Sequence, residues 1–195
     1  MSDLVAALLG EDEGRLPVSA RQALGSLASE LEALGERVKG IEAAILAWHK
    51  DNEASRRLAT PVQRSWEAGV GPITASAIVA TITDPSQFRS GRQLAAWIGL
   101  VPKQNSSGGK ARQVGISKQG DRYLRRLLVL GATAVIRHAR TRTTVEAAWL
   151  KSLLERRPAR LASVAQANKT ARVVWALLAR GGVYGASGSA QADAA

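Results

Sequence analysis

Two adjacent serine hydroxyls lie in the segment of the chain with the strongest potential for chemistry. Ser106 and Ser107 come directly before Gly108 and Gly109, which allow another backbone to approach closely. A serine hydroxyl is a weak nucleophile at neutral pH, so its attack needs a base or strong stabilisation of the charge that forms. When a phosphodiester is attacked, this charge grows on the non-bridging oxygens, where arginine and lysine can stabilise it. Three such cations flank the serines: Lys103, Lys110 and Arg112.

The same residue types also occur in flexible linkers, where serine and glycine are common and nearby charge is incidental. From composition alone, this second interpretation of the serine loop is the favoured one. The loop is not a Walker A nucleotide-binding motif, because the spacing Gly-x4-Gly-Lys-[Ser/Thr] is absent. Residue types alone therefore leave a reactive loop and an inert loop both open.

A second group of cations surrounds the start of the helix that is predicted after the serine loop. Ser117 is a candidate cap for that helix. Positive charge near a helix N-terminus opposes the helix dipole, so helix stability does not explain these residues, whereas a bound phosphate would. Salt bridges to the acidic N-terminal part of the chain are the alternative. The group consists of Lys118, Arg122, Arg125 and Arg126, and the last predicted helix adds Lys169 and Arg172.

The sequence Gly69-Val70-Gly71-Pro72 is typical of the turn in a helix–hairpin–helix module. Glycines allow such a turn to present bare backbone N–H groups at a helix N-terminus, where a phosphate oxygen is favoured. A contact of this kind binds the DNA backbone without reading the base sequence. The motif is also a common start of an ordinary helix, and the basic charge downstream favours Gly69 and Gly71 as DNA contacts.

The net charge of the chain is +11, and it is distributed unevenly. Residues 1–88 carry a net charge of −4 and residues 89–195 a net charge of +15. Like charges at this density repel one another, and a polyanionic partner compensates for the repulsion. Charge that serves only solubility is more often of mixed sign. We therefore predict a nucleic-acid partner.

Composition excludes several other classes of protein. The absence of cysteine excludes a disulfide scaffold, a thiolate nucleophile and a cysteine-based zinc site. Two histidines, His49 and His138, argue against a histidine metal cluster. No apolar run approaches the roughly 20 residues of a membrane-spanning helix, and the first residues lack the basic-then-apolar-then-small pattern of a signal peptide. We expect a cytoplasmic protein without a membrane partner.

Apolar residues between positions 24 and 48 follow one another in strictly alternating steps of three and four. This heptad pattern predicts a coiled-coil helix, capped at Ser19, that pairs with a second copy or with another subunit. An amphipathic helix that packs on a core is the alternative. The seam consists of Leu24, Leu27, Leu31, Leu34, Val38, Ile41, Ile45 and Trp48.

The whole chain is predicted to be mainly α-helical, with a long N-terminal coiled-coil helix and a compact helical domain. Residues 103–120 have no usable period and are predicted to form a loop or a twisted hairpin. The helix after Asp121 is expected to turn Tyr123, Leu124, Leu127, Leu128 and Val135 towards a core. The predicted organisation is a weakly ordered segment 1–18, a coiled-coil helix and linker 19–60, a DNA-binding domain 61–184 and a disordered tail 185–195.

Six blocks of sequence, in order, resemble the C-terminal half of the bridge-RNA-guided bacterial insertion-sequence transposases, a family related to the pilin gene invertase. The resemblance extends from about residue 20 to residue 184 and reverses the inert interpretation of the serine loop. The blocks are residues 54–58, 69–75, 84–88, 99–110, 115–125 and 167–172.

The resemblance implies that Ser106 or Ser107, with Ser106 slightly favoured, attacks DNA to form a phosphoserine link. It also implies a guide RNA and Mg²⁺ held by an N-terminal RuvC-like domain. The acids at positions 3, 11, 12 and 13 do not match that domain's metal-binding tetrad. We therefore expect a transposase fragment that lacks the RuvC-like domain and is inactive in strand transfer alone. Residues 61–67 also depart from the usual family pattern.

Two alternatives stay open at this point. The first is a non-catalytic accessory or regulatory DNA-binding dimer, assembled through Leu24–Trp48, in which the serines have no chemical role. The second is a structural RNA-binding protein, which competition between RNA and DNA would distinguish.

Overall fold

The computed structural model describes the backbone and side chains of most of the chain. Residues 1–16 of the predicted N-terminal segment 1–18 lie outside the described residues. The whole of the predicted tail 185–195 also lies outside them. The chain divides into two compact units, residues 1–47 and residues 48–195. The described residues are 17–59, 69–107, 110–139, 141 and 145–181, with the backbone alone described at 104–107, 110–114 and 145–146.

The described part of the chain is mainly α-helical, as predicted. Its first element is a single 34-residue helix, α1, from Val18 to Asp51. Ser19 already lies inside the first turn of this helix, so the prediction that Ser19 caps it is wrong. No residue of α1 is buried, and its apolar seam is exposed, for example by 61% at Leu27 and 54% at Val38. The long helix is confirmed, and its pairing as a coiled coil stays a prediction.

The unit formed by residues 48–195 contains, among its described residues, six further α-helices, a short 3-10 helix at Pro85–Gln87 and one antiparallel pair of strands. No described helix is long and apolar enough to cross a membrane. In chain order the elements are α2 (Glu53–Leu58), α3 (Pro72–Thr81), α4 (Gly91–Trp97), β1 (Pro102–Ser107), β2 (Lys110–Ile116), α5 (Arg122–Ala139), α6 (Val145–Arg156) and α7 (Ala159–Arg180).

α2 occupies residues that the sequence analysis assigns to a linker. Asn52 caps this helix, because its side-chain oxygen accepts a hydrogen bond from the backbone N–H of Ser55 at 2.9 Å. Leu58 is buried in the core and anchors the other end. The hydroxyl of Ser55 lies 2.7 Å from Nδ1 of His49, whose pKa is lowered by burial and by the positive charge of Arg56. Six residues are too few for a helical period to appear in the sequence.

The core of this unit is built around α7, which packs against α2, α4, α5 and α6. Small residues of α7, including Ala162, Ala167 and Ala171, are fully buried and let neighbouring helices approach closely. Burial of one large apolar side chain contributes about 1.5–3 kcal/mol. The large side chains that fill the space include Ile78, Leu94, Leu124, Leu128 and Leu150.

Tyr123 is exposed by 56%, so the prediction that it faces the core is wrong. The buried residues of α5 recur at intervals of three or four, and each residue of a helix is rotated by about 100° from the one before it. Because Tyr123 directly precedes Leu124 in this row, it lies on the neighbouring, solvent-facing side. The predictions for Leu124, Leu128 and Val135 are confirmed, and Leu127 is half-buried.

Candidate nucleic-acid interface

The two candidate nucleophiles lie at the end of β1 in an antiparallel hairpin, which confirms the hairpin prediction for this segment. In the register of the two strands, Ser106 pairs with Ala111 and Ser107 pairs with Lys110. The side chains of both serines, of Lys110 and of Arg112 lie outside the described residues, and so do Gly108 and Gly109. The backbone therefore places both serines at the end of β1, next to the start of β2.

α4 leads into this hairpin, and both of its ends are fixed by hydrogen bonds. Ser90 caps the start, because its hydroxyl accepts a hydrogen bond from the N–H of Gln93 at 3.3 Å. Gly99, with a φ of 80°, ends the helix in a Schellman arrangement, in which the N–H of Leu100 donates to the carbonyl of Ala95 at 2.9 Å. The chain enters β1 from this fixed point.

The base of the hairpin is held against the end of α4 by backbone contacts. The N–H of Ser117 donates to the carbonyl of Val101 at 2.8 Å, and the N–H of Lys118 donates to that of Gly99 at 3.2 Å. A Cβ on Gly120, whose φ is 75°, would collide with the carbonyl oxygen of Trp97. The segment after β2 therefore needs glycine to pass this close to α4.

Arg125 fixes the same junction with its side chain. Nη1 of Arg125 donates to the carbonyl of Ile98 at 2.7 Å and to the carbonyl of Gln119 at 2.9 Å. The side chain is half-buried, unlike those of Lys118, Arg122 and Arg126, which are exposed. These hydrogen bonds give Arg125 a structural role, and its predicted contact with DNA stays a prediction.

Asp121 caps α5, so the prediction that Ser117 does so is wrong. The Oδ1 atom of Asp121 accepts a hydrogen bond from the N–H of Leu124 at 2.7 Å, directly before the first helical residue, Arg122. Ser117 is too far along the chain from that residue to act as the cap. Its hydroxyl is buried and has no hydrogen-bond partner among the described residues.

A groove of about 800 Å³ lies beside the base of the hairpin and brings three cations to one place. Lys118 was a predicted phosphate contact, whereas Arg157 and Arg160 were not identified from the sequence. The signal that could have revealed them is the basic run Arg156-Arg157-Pro158-Ala159-Arg160, which surrounds the start of a helix. Lys103, on β1, is exposed at the start of the same hairpin.

Lys169 and Arg172 lie in a second groove, of about 780 Å³, rather than at the hairpin base. The two grooves meet at Ala165 and Asn168 of α7, which line both. The amide of Asn168 also donates to the carbonyl of Leu100 at 3.3 Å and so connects α7 to the start of the hairpin. Of the predicted cations, Lys118 therefore lines the first groove, and Lys169 and Arg172 line the second.

The Gly69-Val70-Gly71 turn packs closely against α5. Gly69 has a φ of 66°, and a Cβ built on it would lie 2.8 Å from the carbonyl carbon of Gly131. Gly71 is exposed and is the N-cap of α3, with open space around its Cα. The segment 60–68, which would contain the first helix of a helix–hairpin–helix module, lies outside the described residues. That module and the DNA contacts of both glycines stay predictions.

Magnesium is implied only by the family resemblance. Within the ranges that the structure describes, no group of three or more His, Asp or Glu residues is arranged to hold a metal ion. The described residues thus do not fit the implied metal, and we derive no chemical step through it.

Residues 68–146 match the family described as "Transposase IS116/IS110/IS902 family". A "Probable family 20 transposase" of Pseudomonas aeruginosa is 43% identical to the chain over 181 residues, which cover 93% of this chain and 52% of that protein.

Two further relatives carry similar descriptions. The "Transposase for insertion sequence element IS1111A" of Coxiella burnetii is 41% identical over 182 residues, or 93% of this chain and 48% of that protein. The "Putative transposase y4pF/y4sB" of Sinorhizobium fredii is 40% identical over 178 residues, or 90% of this chain and 44% of that protein. The chain spans about half the length of the curated relatives it matches.

Proposed function

We propose that the chain binds DNA and supplies a serine nucleophile for strand cleavage and rejoining during transposition, since its residues 68–146 match the family described as "Transposase IS116/IS110/IS902 family". Ser106 and Ser107 are the candidate nucleophiles. The observation that carries the proposal is the position of these serines on a hairpin whose fixed base borders a cationic groove.

We infer from the geometry of the hairpin that different cations contact different parts of a bound strand. A strand rises about 3.3 Å per residue, so the serines lie about 15 Å along β1 from Pro102 at the base. Cations at the base, such as Lys118 and Arg160, would therefore bind DNA phosphates that flank the reacting one. Lys110 and Arg112 are on the strand opposite the serines and are the candidates for contact with the reacting phosphate.

The proposed reaction is a transesterification, in which the phosphoryl group of one DNA phosphodiester is transferred to a serine oxygen. The serine oxygen bonds to phosphorus, the bond from phosphorus to one sugar oxygen breaks, and that oxygen leaves with a proton. The serine proton passes to solvent or to a base. Rejoining is the reverse reaction, in which a sugar hydroxyl attacks the phosphoserine. Arginine and lysine stabilise the charge that develops on the non-bridging oxygens in both steps.

Two partners of the chain are part of the proposal. A guide RNA is suggested by the family resemblance, and the cationic grooves suit its phosphates as well as those of DNA. A second copy of the chain is suggested by the exposed heptad seam of α1, because such a seam is normally covered by another helix.

The salt dependence of DNA binding tests the binding half of the proposal. The logarithm of the binding constant for duplex DNA falls with the logarithm of salt concentration, with a slope of about −0.9 for each phosphate contacted. We expect a slope of about −4 or steeper for the wild-type chain, measured by fluorescence anisotropy. Replacing Lys118 and Arg160 by glutamine should make the slope shallower by about 1.8.

The matched control for that experiment removes the same amount of charge elsewhere. Arg37 and Lys50 are exposed cations of α1, and their replacement by glutamine lowers the net charge equally. The control should leave the slope within about 0.5 of the wild-type value. A slope near zero for the wild-type chain, or equal changes in both double variants, would contradict the proposed interface.

A non-catalytic DNA-binding dimer is the second candidate function, and the exposed seam of α1 is the observation that favours it. The two functions share DNA binding and self-association and differ in the role of the serines. In the second function, replacement of Ser106 and Ser107 by alanine leaves every activity unchanged.

A further inference from the structure

The groove that contains Lys169 and Arg172 also contains side chains to which no role has been assigned. Its volume is about 780 Å³, within the range of ligand-binding clefts. Arg92 reaches it from the start of α4, and Arg180 from the end of α7. Two tryptophans also line it, Trp149 from α6 and Trp175 from α7.

Packing of well-ordered elements fixes the shape of this groove. Gly91 lies so close to α7 that a Cβ on it would be 2.9 Å from the Cα of Arg172, so α4 and α7 are in backbone contact. This contact holds Arg92 and Arg172 on adjoining elements. The indole N–H of Trp175 donates to the carbonyl of Phe88 at 2.9 Å and fixes that ring. The groove is thus pre-formed in the folded chain.

The groove carries a concentrated positive charge. Lys169, Arg172, Arg92 and Arg180 line it, and no aspartate or glutamate of the described residues does. Within the same described part of the chain, no carboxylate forms an ion pair with any of these four cations. Four uncompensated charges in one groove repel one another, and a bound polyanion would relieve the repulsion.

The two tryptophans distinguish this groove from a simple anion site. Trp149 is exposed by 38% and has Nζ of Lys169 5.0 Å from its ring centroid. The guanidinium carbon of Arg180 lies 5.6 Å from the centroid of Trp175. Aromatic rings interleaved with cations are the pattern of sites that bind single-stranded nucleic acid, where bases stack on rings and phosphates contact the cations.

We propose that this groove binds an unpaired stretch of DNA strand, with its phosphates on Arg92 and Arg172 and one base stacked on Trp149. The inference rests on the proposed function and adds a single-strand site to it. Duplex DNA would use the cations alone, since its bases are already stacked on each other. An acidic peptide would use the cations without gaining from a stacking surface. Because this groove and the groove at the hairpin base share Asn168, one strand can pass from Trp149 towards the serines.

The test measures binding of the full 195-residue chain to a 20-nucleotide oligothymidine, a 20-base-pair duplex and a 20-nucleotide oligouridine, each with a fluorescent label. We expect Trp149→Ala to weaken oligothymidine binding by roughly 5-fold to 100-fold, the range for loss of one stacked base. Duplex binding should change less than about twofold. Trp149→Phe, which keeps a smaller ring, should recover most of the affinity.

Trp97→Ala is the matched control, since Trp97 is exposed by 40% but lines a different groove, together with Phe88. It should leave binding of all three oligonucleotides within about twofold of wild type. An equal loss with both alanine variants, or an equal loss on duplex DNA, would overturn the proposal. Tighter binding of oligouridine with the same dependence on Trp149 would overturn the choice of DNA. Displacement of oligothymidine by polyglutamate at equal charge concentration would indicate an acidic peptide instead.

A second readout does not depend on the stability of the variants. Ultraviolet crosslinking of the wild-type chain to an oligonucleotide that carries 5-iodouracil should give an adduct on Trp149, mapped by mass spectrometry. Adducts that avoid Trp149 and Trp175 would overturn the proposal. Failure of the chain to bind any DNA would refute the proposed function itself, whereas normal duplex binding without a Trp149 effect refutes this inference alone.

Discussion

Arg125 and Arg126 are adjacent arginines at the start of α5, and their surroundings differ. From the sequence, both are predicted to bind phosphate, because a sequence shows only residue type and charge at a single position. The guanidinium of Arg125 instead donates to the carbonyls of Ile98 and Gln119, while Arg126 is exposed. Ile98 is 27 positions away in sequence, so no local pattern could have revealed this contact.

Replacing Arg125 by glutamine should destabilise the folded chain. The change removes two hydrogen bonds from a charged donor to backbone carbonyls, and we expect the free energy of unfolding to fall by about 2 kcal/mol. Urea denaturation followed by circular dichroism measures this quantity. Arg126→Gln is the control and should change it by less than about 0.5 kcal/mol. If the two variants lose the same stability, Arg125 does not hold the junction.

Trp149, Arg92, Arg157, Arg160 and Arg180 line the two grooves and were missed by sequence reasoning. They come from different helices, and only the packing of α4 and α6 against α7 brings them to the same surface. By contrast, the cations next to the serines were found because they are adjacent in sequence. Proximity along the chain is visible in a sequence, whereas proximity across a helix packing is not.

Several helices follow from local patterns. α1, α5 and α7 correspond to predicted helices, since each has an apolar period in the sequence. The hairpin was left open as one of two alternatives because its strands are polar and short. α2 was missed because its one and a half turns carry no period, although Asn52 is a recognisable cap.

α1 is the element whose partner the sequence predicts most directly. We expect the wild-type chain to self-associate through the seam Leu24–Trp48, because its exposed leucines and valine lose their contact with water in a coiled coil. Replacing Leu31 and Val38 by glutamate should convert the chain to a monomer at about 10 µM, measured by sedimentation equilibrium. The two glutamates place charges in the seam, and burial of unpaired charge in a coiled coil costs more free energy than the association provides. The chain should therefore lose its self-association.

The control variant adds the same two charges away from the seam. Ser29 and Ala43 are exposed on α1 at the heptad position opposite the seam. Their replacement by glutamate should leave the oligomeric state measured by sedimentation equilibrium unchanged. A wild-type chain that sediments as a monomer would contradict this prediction. A dimer that survives both double variants would locate the interface elsewhere.

Across the whole chain, positive charge and the two candidate nucleophiles, Ser106 and Ser107, lie in the same half. Residues 89–195 carry a net charge of +15 and contain the hairpin, both grooves and every proposed phosphate contact outside the Gly69–Gly71 turn. α7 connects these features, since Asn168 and Ala165 border both grooves. A strand that follows α7 would contact cations along its path towards the hairpin.

The charge asymmetry and the order of the family blocks are visible in the sequence alone, because both are properties of the linear chain. The division into two units at residues 47 and 48 could not, since the seam continues to Trp48 without a break. The existence of a second groove could not be predicted either, because it forms only when α4, α6 and α7 have packed.

Covalent capture of the serine intermediate tests the central claim most directly. Cells that carry the coding sequence in its native genomic surroundings would be lysed in detergent, and protein–DNA adducts isolated, digested with nuclease and trypsin, and analysed by mass spectrometry. Cleavage after Lys103 and Lys110 gives a peptide that contains both Ser106 and Ser107. We predict a nucleotide on one of these serines, lost in the Ser106→Ala, Ser107→Ala double variant and retained in Ser152→Ala. Absence of any adduct, or an adduct that persists in the double variant, would contradict the account.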